Sequence, residues 1–454
     1  MSSALRGSSV CSISNSPCAM SFSLHSLRYG CLALFLALSA GVYAQQDNEN
    51  QLSVDLEVRS RGEMRRGGMP SEEGITENRA GFITGRTRLA VNYQRKWLEA
   101  KVAGIHSGVW GQAGKGSFNL SEAWVKMKSD LGFFAQIGRQ NLSYDDERII
   151  GANDWTMATM SHDVLRLGFE RGGHKVHFFT AYNQNSDTQL GNSYYIDGAQ
   201  PYKEIHTLWY HYDAQSLPAG VSLLFMDVGM QGGTKEDPVT YHQQLLGGYL
   251  SVHPQSWSFE GAYYRQMGHD EHGILIQSWM ASAKASYKPV STLNLTLGFD
   301  YLSGDEYFAV PPSGSIGLVR HEVLKGFNPI YGSHHKFYGA MDFFYVSTYV
   351  NGFTPGLQNL YFNAWWKPSD IFSLSAAYHY LAMSANLPNM KKSLGHELEL
   401  GVMWKPMRDV TLMAGYSYML GTETMERLKR SSDDNLQWAW LMLTVNPRIF
   451  STRW

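Results

Sequence analysis

Segments of about ten residues in which apolar and polar side chains alternate recur along the chain, bounded by Gly, Pro, Asn and Asp. Alternation at period two is the pattern of a strand with one apolar and one polar face. The first run sets Leu52, Val54, Leu56 and Val58 against Asp55, Glu57, Arg59 and Arg61. Ile83, Leu89, Val91 and Tyr93 then oppose Thr84, Arg86, Arg88 and Asn92. Trp279, Ala281, Ala283, Ala285 and Tyr287 oppose Ser282, Lys284 and Ser286, and Leu293, Leu295, Leu297 and Phe299 oppose Asn294, Thr296 and Asp300.

Eighteen strands are expected, starting near residues 51, 82, 97, 117, 132, 163, 174, 203, 220, 241, 256, 277, 291, 357, 372, 393, 410 and 436. Their connections alternate between short (Arg95-Lys96, Arg171-Gly172-Gly173, Lys288-Pro289-Val290) and long (143 to 161, 185 to 202, 303 to 356). An outer-membrane barrel requires that alternation, with short periplasmic turns and long external loops. A sandwich or propeller has no reason to show it. The expected fold is all-β, a single transmembrane antiparallel β-barrel of about 18 strands. Trp97, Trp110, Trp209, Trp257, Trp365, Trp366 and Trp404, near strand ends, fit interfacial girdles. The last strand, Gln437 to Val445, is apolar on both faces and is interrupted early by Pro447, before Phe450 and Trp454.

The N-terminus changes the accounting. Residues 31 to 38 form an apolar run after Arg28 and before the small-residue stretch that ends at Ala44, as in a secretory signal peptide cleaved there. Residues 1 to 44 are therefore expected to be signal peptide, and residues 45 to 454 the barrel. Cys11, Cys18 and Cys31 all lie in the first segment, so a disulfide framework, a thiolate nucleophile and a Cys-bound metal drop out for the exported chain. Its 36 bases against 40 acids leave a net charge of -4, which excludes a polybasic nucleic-acid binder. With 13 Trp, 26 Tyr and 21 Phe, the chain carries too much apolar surface for wholesale disorder.

With apolar positions toward lipid, the opposite parity faces the lumen. The inward cations are Arg59, Arg61, Arg86, Arg88, Lys101, Lys126, Arg166 and Lys284, against the acids Asp55, Glu57, Glu99, Glu122, Glu170, Asp300, Glu397 and Glu399. This eight-to-eight balance indicates a polar, water-filled conduit. Arg59, Arg61, Arg86 and Arg88 on neighbouring strands suit two roles equally: a cationic cluster that binds carboxylates bidentately, or ladders paired with Asp55 and Glu57.

Residues 138 to 155, Gly-Arg-Gln-Asn-Leu-Ser-Tyr-Asp-Asp-Glu-Arg-Ile-Ile-Gly-Ala-Asn-Asp-Trp, resemble the signature of the alginate export family of outer-membrane porins. Gly304-Asp305 followed by Phe327 to Gly339, and Gly415-Tyr416-Ser417-Tyr418-Met419, agree with it. The resemblance implies a monomeric barrel in the outer membrane of a Gram-negative bacterium. It also implies export of an anionic polysaccharide or oligosaccharide through an arginine-lined pore, gated in part by a long loop and a periplasmic turn. Outer-membrane lipid, the saccharide cargo and periplasmic export proteins would be its partners. Arg139, Asp146 and Arg148 match the motif and become candidates for the lumen wall or its mouth. Arg139 shares the parity of Ala135 and Ile137, so a bulge at Gly138 is expected to turn it inward.

The connection from 303 to 356 is too long to be idle. Gly317 to Lys325 is expected to form a short helix, and Phe337, Tyr338, Phe343, Phe344 and Tyr345 would be buried if the loop folded inward as a constriction or lid. Adjacent His334 and His335 would point apart in a strand, which argues against a metal site, and no cofactor is implied. No Gly-x-Ser-x-Gly or His-Glu-x-x-His occurs, and the sequence points to a channel rather than an enzyme. The alternative to a conduit for acidic saccharide is a general or substrate-specific uptake porin for small solutes or neutral sugars.

Overall fold

The computed structural model describes residues 50–67, 79–112, 114, 116–184, 202–306, 323–344, 354–429 and 435–454. The expected signal peptide lies outside them. The barrel unit runs from Glu49 to Arg453.

The described residues form twenty strands. The first ten are β1 (Gln51–Arg66), β2 (Arg79–Arg95), β3 (Leu98–Val109), β4 (Ser117–Lys128), β5 (Phe133–Gln140), β6 (His162–Arg171), β7 (His174–Tyr182), β8 (Glu204–Asp213), β9 (Ala219–Gly233) and β10 (Pro238–Val252). They are followed by β11 (Trp257–His269), β12 (Leu275–Val290), β13 (Leu293–Leu302), β14 (Val323–Leu324) and β15 (Leu357–Ser369). The last are β16 (Phe372–Ala382), β17 (Ser393–Met407), β18 (Val410–Gly421), β19 (Asn435–Val445) and β20 (Arg448–Arg453).

Each long strand pairs antiparallel with the next, and β13 pairs directly with β15, because the two-residue β14 belongs to the loop and lies parallel to the start of β12. Antiparallel pairing of β1 with β19 and β20 closes the ring. Pro447 interrupts the last stave as expected, since it has no N–H to give the ladder. Its carbonyl still accepts from Leu56 N at 3.0 Å, and the chain resumes as β20 against the first residues of β1. Counting β19 and β20 as one stave gives a closed barrel of eighteen, and every stave begins within three residues of its expected position. The short turns use backbone that few side chains tolerate, such as Gly172 and Gly173 at φ 63° and 84°.

The faces follow the alternation. On β13, Leu297 is 57% exposed on the outside whereas Asp300 is 1% exposed within. Trp97, Trp110, Trp257, Trp365, Trp366 and Trp404 are exposed, as a girdle requires. Trp209 is not: it is buried, and its Nε1 donates to Asp145 at 3.2 Å. The buried apolar cluster lies inside the barrel, where Leu142, Tyr144, Ile149 and Ile150 from one loop meet Phe327, Tyr331 and Tyr338 from another. These two inward segments, 141–161 and 323–344, distinguish the lumen from an open pipe.

Of the helix expected over Gly317–Lys325, the described end, Val323–Leu324, is the strand β14 instead, held by pairing to Leu275 and Ile276. Tyr345 falls outside the described residues. Phe343 and Phe344 are buried, as inward folding of the long loop predicts.

Candidate functional site: a lumen constricted by two inward loops

The loop 141–161 crosses the lumen and ends on the arginine-bearing wall of β1 and β2. Arg59 Nη1 donates to the Asp154 carbonyl at 2.7 Å, and Arg86 Nη2 to the Asp154 carboxylate at 2.9 Å. Arg86 also donates to the Thr156 carbonyl at 3.1 Å, and Arg61 to the Trp155 carbonyl at 3.1 Å. The Arg61 guanidinium lies 4.5 Å from the centre of the Trp155 ring, which stacks on His335 at 4.1 Å. The same arginines are neutralised from the wall: Arg86 lies 2.6 Å from Glu57, Arg59 lies 3.6 Å from Glu57, and Arg61 lies 2.8 Å from Glu63. Of the two roles left open for the cluster, pairing with wall acids is the one seen, with Glu57 and Glu63 as partners, and the arginines together also grip a loop.

Arg148 lies inside the protein, 3% exposed, and lines no open lumen. Its guanidinium is 3.1 Å from Asp300 on β13 and 3.2 Å from Asp146, and it donates to the Tyr338 hydroxyl at 3.0 Å. Burial opposes the charge, but Asp300, Tyr338 and Asp146 hold the Arg148 pKa well above the ordinary arginine value. One residue therefore fastens the first loop to both the wall and the second loop. Around it the backbone is strained, with Asp145 at φ 53° and Glu147 at φ 67°, a conformation that persists only where surrounding contacts over-determine it. Burial pushes the Glu147 carboxyl up, but hydrogen bonds from Lys336 and Ser143 hold it below the usual carboxylate range.

The second loop docks on the far wall. Met341 N donates to Glu397 Oε1 at 2.9 Å and Ala340 N to Glu399 Oε1 at 2.7 Å. Gly339, at φ 93°, allows this approach, since a Cβ there would sit 2.2 Å from Glu397 Oε2. His334 Nε2 lies 3.1 Å from the Pro329 carbonyl and His335 Nδ1 2.8 Å from Asp342. No cluster of three or more His, Cys, Asp or Glu able to hold a metal occurs among the described residues.

The remaining candidates separate into paired and unpaired cations. Arg88 and Lys101 share Glu122 at 2.6 and 2.5 Å, and Lys284 lies 2.9 Å from Glu260. Lys126 and Arg166 have no carboxylate within 4.0 Å among the described residues. Instead both lie over the Phe134 ring, at 4.1 and 5.4 Å from its centre, and Arg166 donates to Gln136 at 2.6 Å. They form a two-cation platform on the wall of β4 to β6.

Arg139 corrects the expected bulge. The β4–β5 and β5–β6 ladders run without a register shift through Gly138, opposite Trp124 and Val164. Strict alternation therefore holds, and Arg139 stays on the outer face with Ile137, where it pairs with Asp163 at 2.9 Å. Glycine at φ 117° accommodates the strand's local twist without changing parity. Glu63, Glu260 and Asp154 were missed as partners. Glu63 shares the parity of Arg59 and Arg61 and was readable; Asp154 reaches its arginines only through the fold of its loop.

The sequence pattern of the alginate export family matches residues 104–385. No curated protein matches the chain. Among solved structures, OccK2 (OpdF) of Pseudomonas aeruginosa is similar, with a TM-score of 0.60 at 12% identity, covering 88% of this chain and 98% of that one. OccK11 (OpdR) of the same organism has a TM-score of 0.58 at 13% identity over 90% and 100% of the two chains. Acinetobacter baumannii OccAB1 has 0.57 at 10% identity over 88% and 97%. At these identities the likeness is one of fold. The eighteen-stave barrel, its loop-filled lumen and the family match over 104–385 together identify the chain as a member of the alginate export family and an outer-membrane channel.

Proposed function

We propose that this channel, in the outer membrane of a Gram-negative bacterium, passively conducts acidic saccharides through a constriction formed by the loops 141–161 and 327–344. The observation that carries the reading is the Lys126–Arg166 platform: two inward cations, not satisfied by carboxylates among the described residues, that both lie over one aromatic ring. Cations on a low-dielectric wall raise the local concentration of anions, and a guanidinium binds a carboxylate through paired N–H groups. The arginines of β1 and β2 add to the positive wall, but their charge is largely met by Glu57, Glu63 and Asp154. Conduction of short acidic oligosaccharides therefore fits better than threading of a wide polymer. A monomer suffices for it, because the pathway lies within one barrel.

The test is reversal potential across a planar bilayer under a salt gradient, followed by titration with uronate oligomers. Anion preference and current block by uronate are expected, with both weakened about tenfold or more when Lys126 and Arg166 are both replaced by Ala, as loss of charged hydrogen bonds implies. An unselective current that uronates leave unchanged would sink the acidic-cargo reading. A second reading, uptake of small neutral solutes, draws support from the paired state of the other inward cations.

A further inference from the structure

Beneath the loop 335–340, against the wall of β11 to β17, lies a cavity of about 350 Å³, within the roughly 300–1,000 Å³ usual for small-ligand sites. Its wall residues stand on β11 to β13 and β15 to β17, apart from Lys126 and Arg166 on β4 and β6. We infer that this cavity binds a neutral, hydroxyl-rich ring, such as an uncharged glycosyl unit, an inference that rests on reading the barrel as a saccharide channel.

The charge state of the lining is the first argument. Lys284 is matched by Glu260 at 2.9 Å, Asp300 by Arg148 at 3.1 Å, and Glu399 accepts from Ala340 N at 2.7 Å with His379 at 3.3 Å. Lys336 is hydrogen-bonded to Glu147. An ionic ligand would have to displace one of these partners, and separating a buried pair leaves an uncompensated charge.

The second argument is unspent hydrogen-bonding capacity of neutral type. The Oδ1 atoms of Asn294 and Asn363 are buried and without a partner among the described residues. Buried amide oxygens are normally satisfied, so two facing one cavity imply donors that arrive with a ligand or with water. Ser286 and Thr296, 2.8 Å apart, add hydroxyls that can donate or accept. Hydroxyl groups suit such a lining, because each both donates and accepts.

The third argument is an aromatic floor. Tyr361 lies directly across from Gly298, whose missing side chain lets the ring lie flat on the wall; a Cβ at Gly298 would be 2.2 Å from it. The ring is backed by His379, stacked at 5.5 Å. An apolar face between polar groups is how a site orients a ring that has both apolar and hydroxyl-bearing surfaces.

The experiment is current block in planar bilayers by malto-oligosaccharides, neutral sugars without carboxylates, with the full exported chain and its variants. Heat-dependent gel mobility confirms that each variant forms the barrel. The expected result is reversible block, weakened about tenfold in Asn363→Leu and similarly in Asn294→Leu, and unchanged in the Lys126→Ala/Arg166→Ala double variant. Absence of block by neutral sugar, or block as strong as in wild type in both asparagine variants, overturns the inference; so does its loss in the double variant. If uronates fail to act while malto-oligosaccharides block, the acidic-cargo reading falls and the neutral site stands.

Discussion

Beside Arg148, Glu147 also couples the two loops that narrow the lumen, its carboxylate accepting from Lys336 and its backbone carbonyl from Ser333 N at 2.9 Å. The sign of its pH dependence follows from the direction of its shift. Because the folded-state value is depressed, the ionised group favours the docked loops fully above its ordinary value of about 4.3, and that contribution is lost as pH falls through the depressed value. Current noise and protease cleavage within 323–344 are expected to rise on acidification below that range. In Glu147→Gln both should be raised already at neutral pH, with a flatter pH profile; an unchanged profile would assign the effect to another acid. Arg139 shows what was and was not readable at this scale. Its parity with Ala135 and Ile137 places it outside, and the unbroken ladders on both sides of β5 keep it there.

Among elements, the staves were almost entirely legible, because a strand between lipid and water must alternate at every position, and its ends are marked by turn residues. The loops were not. Their partners lie far away in sequence, as with Arg86 and Asp154, 68 residues apart, or Arg148 and Tyr338, 190 apart, and no local periodicity encodes such contacts. That the connection 303–356 would send its aromatics inward was readable from its length and composition, and its described part 323–344 does so. That 141–161 would be its counterpart was not, although the family motif lies in it. The Asp154 carboxylate neutralises Arg59 and Arg86 from the loop side, so Asp154→Ala should leave both held by the backbone carbonyls of the loop but with more of their charge unmet. Single-channel conductance should then rise and the reversal potential move toward the anion limit, measured in the same bilayers as wild type. A move toward cation preference would overturn that role for Asp154.

For the whole molecule, stability rests on an outer apolar band that only lipid or detergent can cover. Leu297 and Thr296 are neighbours on β13 that face opposite solvents, with 57% and 9% exposure. Placing arginine at the first should cost about 2–4 kcal/mol if it lies near the mid-plane, read by denaturant titration of the barrel refolded in lipid vesicles. Thr296→Arg should change the current instead and leave the transition closer to wild type. Equal destabilisation by both would contradict the assigned faces.

The grip of the loop 141–161 extends across the line where the chain's two ends meet. Arg59, Arg61 and Arg86 stand on β1 and β2, while Trp155 packs edge-on against Trp440 of β19 at 5.0 Å, and Trp438 Nε1 donates to Glu63 at 3.0 Å. The join between the first and last strands is the pairing with the longest intervening chain, and so the one with the greatest loop-closure entropy. Here Trp155 reaches across that join to Trp440 from a loop held on β1 and β2. Opening the barrel at its seam must therefore break contacts made by a segment that contributes no strand to it.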